Sequence, residues 1–140
     1  MIFRKSIFFV LFPSFLVSFP SNAEWLKTSN CNPDVNGLCT QVFVDSERIV
    51  EDENIRYFWA LFNNNKRDKY NEFSTKMYMG ADCKNKKFKI QLAMGFDEPM
   101  GKGLLLSNQD FSKLSRWDKS PPGTKIDRTI GFVCAKNLDN

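Results

Sequence analysis

Alternation of apolar and polar positions with a period of two dominates the middle of the chain. In Ile55–Phe62, the residues Ile55, Tyr57, Trp59 and Leu61 fall on one side and Arg56, Phe58, Ala60 and Phe62 on the other. Phe73–Cys83 sets Phe73, Thr75, Met77, Met79, Ala81 and Cys83 against Ser74, Lys76, Tyr78, Gly80 and Asp82. Lys87–Phe96 alternates most cleanly, and its pattern puts Phe88, Ile90, Leu92, Met94 and Phe96 on a single face. Successive side chains of a strand point to opposite sides of a sheet, so these segments predict half-buried strands in an antiparallel sheet. Shorter strands are expected at Glu24–Thr28, Thr40–Val44 and Gly103–Ser107. The polar run Asn63–Lys69 and the brief Lys84–Lys86 segment supply the turns that a meander needs.

The C-terminal stretch follows a different period. Pro121-Pro122-Gly123 halts extended structure, and Thr124 with Asp127 has capping-box form, although Asp stands where Glu is stronger. Ile126, Ile130, Val133 and Cys134 then recur at helical spacing along one stripe. This predicts an amphipathic helix over Lys125–Lys136, in which Gly131 costs ~1 kcal/mol relative to alanine. The fold class is therefore mainly β (α+β): a single antiparallel sheet of about six strands with a C-terminal helix packed on it. Tyr57, Phe58, Trp59 and Phe62 populate both faces of one strand, and one helix covers only one face. The second cover is either loops or another subunit, which makes a homodimer a candidate state.

The first residues obey neither period. Met1–Ser6 carries Arg4 and Lys5, Ile7–Val17 is a short apolar run, and Ser21-Asn22-Ala23 puts small residues where a signal peptidase reads them. That is the anatomy of a secretory signal peptide. A spanning helix needs ~20 apolar residues, whereas this run ends before Ser18 and has Pro13 and Ser14 inside it. The chain is thus expected to divide into a signal peptide over residues 1–23 and a single domain over residues 24–140. The domain would be exported to the periplasm, the medium or the cell surface, with no stable membrane span after cleavage.

All four cysteines, Cys31, Cys39, Cys83 and Cys134, lie in the mature part. An even number in a small exported chain reads as two disulfides, and four cysteines allow three pairings. Joining each to its evident neighbour gives Cys31–Cys39 around the turn-rich segment Asn32–Leu38, and Cys83–Cys134 between a strand end and the helical stripe. A redox enzyme would carry a Cys-x-x-Cys pair, which is missing. A zinc site would need four free thiols to converge from distant positions.

Charge and composition narrow the chemistry further. The chain holds 20 basic and 16 acidic residues and no histidine. Loss of Arg4 and Lys5 with the signal leaves 18 basic residues against 16 acidic, a net +2. So small a charge offers no long-range field for nucleic acid or an anionic membrane. The missing histidine removes the usual neutral-pH general base and the commonest metal ligand together. No Gly-x-Ser-x-Gly elbow activates a serine. The acidic stretch Asp45-Ser46-Glu47 and Glu51-Asp52-Glu53 reads as a solvated connection, without the burial that would tune a glycosidase acid. Asn32, Asp34, Asn36 and Gly37 open like a calcium loop, but Phe43 stands where a bidentate Glu belongs, and a plain turn explains them. No catalytic residue, metal site or cofactor is expected, and the chain does not read as an enzyme.

Lys84, Lys86, Lys87 and Lys89 surround one hairpin, while Lys66, Arg67 and Lys69 sit in another turn. Basic tips beside aromatic strands suit sulfated glycans or nucleic acid, and lysines at strand edges equally block edge-to-edge aggregation. The first four lysines are the candidate ligand contacts.

Several short segments stand in a definite order along the chain. Trp25 follows the signal, and Val42-Phe43-Val44-Asp45 precedes the acidic connection. Arg56-Tyr57-Phe58-Trp59-Ala60-Leu61 leads to Ser74, Asp82-Cys83, Met100-Gly101-Lys102-Gly103, Trp117, Pro122-Gly123-Thr124 and Val133-Cys134. In this order and spacing, over residues 24–136, the chain resembles the surface-adhesin protein E-like family of exported bacterial proteins. The resemblance implies an antiparallel sheet with a C-terminal helix tied to it through the pair matching Cys83 and Cys134. It also implies a protein ligand at the cell surface, in the form of host or matrix proteins. Two features depart from the family pattern: no lipoprotein cysteine stands at the cut site, where Glu24 lies, and the Cys31–Cys39 loop is extra. The expectation is an exported, non-enzymatic, adhesin-like binding module, with a structural or accessory cell-envelope protein as the alternative.

Overall fold

The strands follow one another across the sheet almost in chain order. The structure, a computed structural model, describes residues 22–114 and 116–138. All but the last two residues of the expected signal peptide lie outside the described residues. Strands β1 (Trp25–Ser29), β2 (Thr40–Asp45), β4 (Ile55–Asn64), β5 (Ser74–Asp82), β6 (Lys87–Phe96) and β7 (Leu105–Asp110) form an antiparallel meander in that order. These correspond to the three strands expected from alternation and the three shorter ones, with β7 running two to three residues later than expected.

Two further short strands join them. β3 (Val50–Asp52) pairs with β4, and β8 (Asp118–Lys119) pairs with β6 beyond the end of β7. The acidic connection is therefore not all loop. Glu53 and Asn54 both adopt positive φ, as a tight two-residue hairpin turn requires, and this folds Val50–Asp52 back onto β4. All three residues of β3 remain exposed, but Asp45 and Ser46 at the head of the stretch are buried, with Asp45 ending β2 and paired to Arg48 at 3.4 Å. Only the later part of the stretch is therefore solvated.

Alternation fails at one place in β6. Met79 pairs with Ile90, but Tyr78 pairs with Leu92, which leaves Gln91 as an extra residue. A bulge of one residue reverses the facing of everything beyond it. Phe88 and Ile90 stay on the face of Met79 and Ala81, whereas Leu92, Met94 and Phe96 turn to the face of Ser74, Lys76 and Tyr78. The expected single face of Phe88, Ile90, Leu92 and Met94 is split in two.

Helix α1 (Lys125–Ala135) lies on the first of these faces. Val44, Phe58, Ala60, Met79 and Ala81 from the sheet and Ile130 and Val133 from the helix make the buried core. Thr124 caps the helix by accepting a bond of 3.2 Å from the backbone N–H of Asp127, the geometry expected of that pair. Extended dihedrals at Lys136 end the helix one residue earlier than the periodicity predicts. Cys83, just past β5, is bonded to Cys134 of α1, and Cys31 to Cys39.

Cations secure both helix ends. Arg56, on the helix-facing side of β4, donates to the carbonyls of Val133 at 2.7 Å and Lys136 at 2.6 Å. The last carbonyls of a helix have no partner within it, so a guanidinium there satisfies them and complements the helix dipole. At the other end, Lys125 Nζ donates to the carbonyls of Asn30, at 3.0 Å, and Thr40. Burial, and secondarily the charge of Arg128, lowers the Lys125 pKa from its ordinary value.

Candidate functional site

The opposite face of the sheet carries the aromatic residues. Tyr57 and Trp59 of β4 alternate onto it and meet Tyr78 of β5 across the ladder. Ring centroids lie 6.1 Å apart for Tyr57–Tyr78 and 5.2 Å for Trp59–Tyr78. Burial, followed by the neighbouring Tyr57, raises the Tyr78 hydroxyl pKa. Lys89 of β6 sets its ammonium 4.8 Å from the Trp117 ring centroid and 5.6 Å from that of Tyr57. The register explains this meeting, because Lys89 lies opposite Gly80, which in turn lies opposite Tyr57. A Cβ on Gly80 would stand 3.3 Å from the Lys89 stem and from both rings. A side chain there would crowd all three groups by a few tenths of an ångström.

Cations line this face more widely. Lys76 reaches over Phe96 at 5.3 Å and Lys27 over Phe43 at 5.8 Å. A lysine above an aromatic face is held by the ring quadrupole while its stem covers apolar surface.

Loops cover part of the face. Ser74 Oγ donates to the Glu98 carbonyl at 2.6 Å and accepts from the Gly101 N–H at 2.8 Å. The Met100 N–H donates to Asn63 Oδ1 at 2.7 Å. Residues 98–101 are thus anchored over one end, where Leu61 and Ser74 have no exposure. Trp117 reaches over Gly80 at the other end. Trp59, Tyr78, Leu92 and Met94 remain half-buried between these covers.

The four candidate lysines separate accordingly. Lys84 and Lys86 are exposed at the β5–β6 turn. Asp82 orders that turn by accepting from Asn85 N at 3.1 Å and Asn85 Nδ2 at 2.8 Å, and these bonds lower its pKa. Lys87 pairs with Asp82 in the ladder and with Lys119 of β8, on the same face as Lys89. The arrangement is a basic hairpin tip continuous with an aromatic strip. Trp117 was not among the candidate contacts; its only local signal is a lone large aromatic in an otherwise polar segment.

The other candidate chemistry occupies separate places. Asp34 Oδ1 accepts from Asn36 N at 2.8 Å and Leu38 N at 2.9 Å, an aspartate turn bonding its own backbone. Glu47 is exposed, and a hydrogen bond with the Glu24 carboxyl, reinforced by its charge, raises the Glu47 pKa. Among the described residues, no group of three Cys, Asp or Glu side chains is gathered as a metal site, and no helix is long and apolar enough to cross a membrane.

Comparison with curated protein sequences finds no match. Solved structures do match in fold. Haemophilus influenzae protein E in crystal form II is 24% identical, covers 67% of this chain and 80% of its own, and superposes with a TM-score of 0.54. Protein E from non-typeable Haemophilus influenzae is 20% identical over 83% of this chain and 80% of its own, with a TM-score of 0.53. At the level of sequence, the surface-adhesin protein E family profile matches residues 25–135. With that span covering every described strand and the helix, the chain belongs to the surface-adhesin protein E family.

Proposed function

We propose that this protein, an adhesin-like surface protein by family, is a non-enzymatic binding module, exported with residues 1–23 removed. Its contact surface for host or matrix proteins is the aromatic face and the basic hairpin beside it. The observation that carries this reading is the half-buried row of Tyr57, Trp59 and Tyr78, with Lys89 beside Trp117 and Lys84 and Lys86 at the adjoining tip. Tyrosine and tryptophan supply large contact areas at low entropic cost and dominate interface energetics. Charges at the rim of such a surface govern encounter and orientation. The middle of the same face is also where a second copy of the chain would dock.

The test is binding of the mature protein to an immobilised basement-membrane extract, by biolayer interferometry. Reversal of Lys84, Lys86 and Lys87 to Glu should weaken binding about tenfold or more, with an unchanged melting temperature. Full binding by that variant would move the contact elsewhere. No binding by the wild type would favour the accessory envelope role. Sedimentation velocity of the same samples reads the oligomeric state.

A further inference from the structure

The face that carries α1 is only partly covered by it. Beyond the helix, β5, β6 and β7 leave a groove of about 590 Å³, with apolar walls that include Met77, Ile90, Leu106 and Phe111. Glu72 also lines it, although only 8% of that residue is exposed. Its Oε1 accepts from Ser107 Oγ at 2.5 Å and its Oε2 from Thr75 Oγ1 at 3.4 Å. The strand beneath is shaped to seat the carboxyl group, since a Cβ on Gly95 would lie 2.1 Å from the Glu72 Cδ.

Two hydroxyls are a weak environment for a buried carboxylate. The ion pairs Arg48–Asp45, Arg56–Glu51 and Arg116–Asp118 do not involve Glu72. The groove lining contains Asp68 but no lysine or arginine, and the nearby Arg67 lies over the Phe73 ring instead. With only two hydroxyl donors on it, the carboxyl group keeps acceptor capacity for a cation arriving on an apolar stem. Lysine and arginine are such groups.

The groove opens beside an exposed sheet edge. Among the described residues, β7 ends the strand order and pairs with β6 alone. Leu105 and Leu106 are 51% and 44% exposed there. An unpaired edge next to an apolar groove is the arrangement that accepts an added strand. Ser107, opposite Gly95 in the ladder, stands between that edge and Glu72.

We propose that β7 and its groove bind an extended peptide. The peptide adds as a strand to β7 and places one arginine or lysine over Ser107 onto the Glu72 carboxylate. Its apolar side chains lie against Leu106 and Phe111. This inference rests on reading the chain as a binding module, but it uses a surface other than the aromatic face.

The test titrates the mature protein with a blocked hexapeptide of alternating threonine and leucine carrying one central arginine. A second peptide replaces that arginine with citrulline, which keeps the shape and removes the charge. The arginine peptide should bind at least about tenfold more tightly, and Glu72→Gln should abolish the difference. Hydrogen exchange should slow at residues 105–110 on binding. Equal binding of the two peptides, binding of neither, or a charge preference that survives Glu72→Gln would overturn the proposal. Should Glu72→Gln fail to fold, Leu106→Lys puts a cation at the groove mouth while retaining Glu72, and it should block the peptide; undiminished binding would count against the site. The Lys84, Lys86 and Lys87 reversal should leave peptide binding intact. Failure at the aromatic face and failure at β7 are thereby read separately.

Discussion

Replacing both Cys83 and Cys134 by Ser probes what holds α1 to the sheet. The helix runs only from Lys125 to Ala135, which is marginal for a helix alone in water. Its disulfide closes a sequence separation of 51, whereas Cys31–Cys39 closes one of 8. By the chain-entropy relation, these loops correspond to ~4 and ~2.6 kcal/mol of stability. Four kcal/mol is a large share of the ~5–15 kcal/mol available to a domain of this size. The structure adds a qualification, because Arg56 holds the Val133 and Lys136 carbonyls near the same helix end. Thr28 and Thr129 also share a hydrogen bond of 2.8 Å midway along the helix. The double serine variant should therefore still fold with α1 docked, but with a denaturation midpoint much lower than that of the Cys31→Ser, Cys39→Ser variant. Adding Arg56→Met should then free the C-terminal turn. The combined loss should exceed the sum of the separate losses, since both groups hold one helix end. Urea denaturation followed by tryptophan fluorescence, with limited proteolysis at the C-terminus, reads each step. Equal midpoints for the two disulfide variants, or strict additivity with Arg56→Met, would refute the reasoning.

The bulge at Gln91 separates two neighbouring substitutions. Ile90→Asp puts a carboxylate against the core and should cost about 2–4 kcal/mol, whereas Leu92→Asp, on the other face, should cost less; similar losses in urea denaturation would mean that no bulge exists. Glu47 binds its proton more tightly in the fold than in the open chain, because of the Glu24 carboxyl. Ionising Glu47 therefore weakens the fold, and its share of stability should fall as pH rises through and above the carboxylate range. Glu47→Gln should accordingly melt higher than wild type at pH 7 in low salt, with the gap closing toward pH 4.

Much of this architecture was legible without coordinates, for a local reason. A strand shows its period in its own residues, so Ile55–Phe62 and Phe73–Cys83 announced β4 and β5. The stripe Ile126, Ile130 and Val133, with Thr124 and Asp127 before it, likewise announced α1 and its cap. Cys83 at a strand end and Cys134 on that stripe made the tether readable, because both positions followed from those periods. What remained hidden depends on partners distant in the chain. Gln91 is a bulge only because β5 offers one fewer residue opposite it, and its own segment alternates without a flaw. Val50–Asp52 becomes a strand only once β4 is there to receive it. Arg56 reads as one polar position in an apolar strand, and its role exists only where the end of α1 arrives from 77 residues later. Lys89 looked like one of four equivalent hairpin lysines, until the register put Gly80 beneath it and Trp117 beside it. Glu72 fell outside every element read from the sequence, and packing of Gly95 and Ser107 against it buried its carboxyl. Periodicity is a property of neighbours along the chain, whereas burial, charge pairing and the shape of a binding surface are properties of neighbours in space.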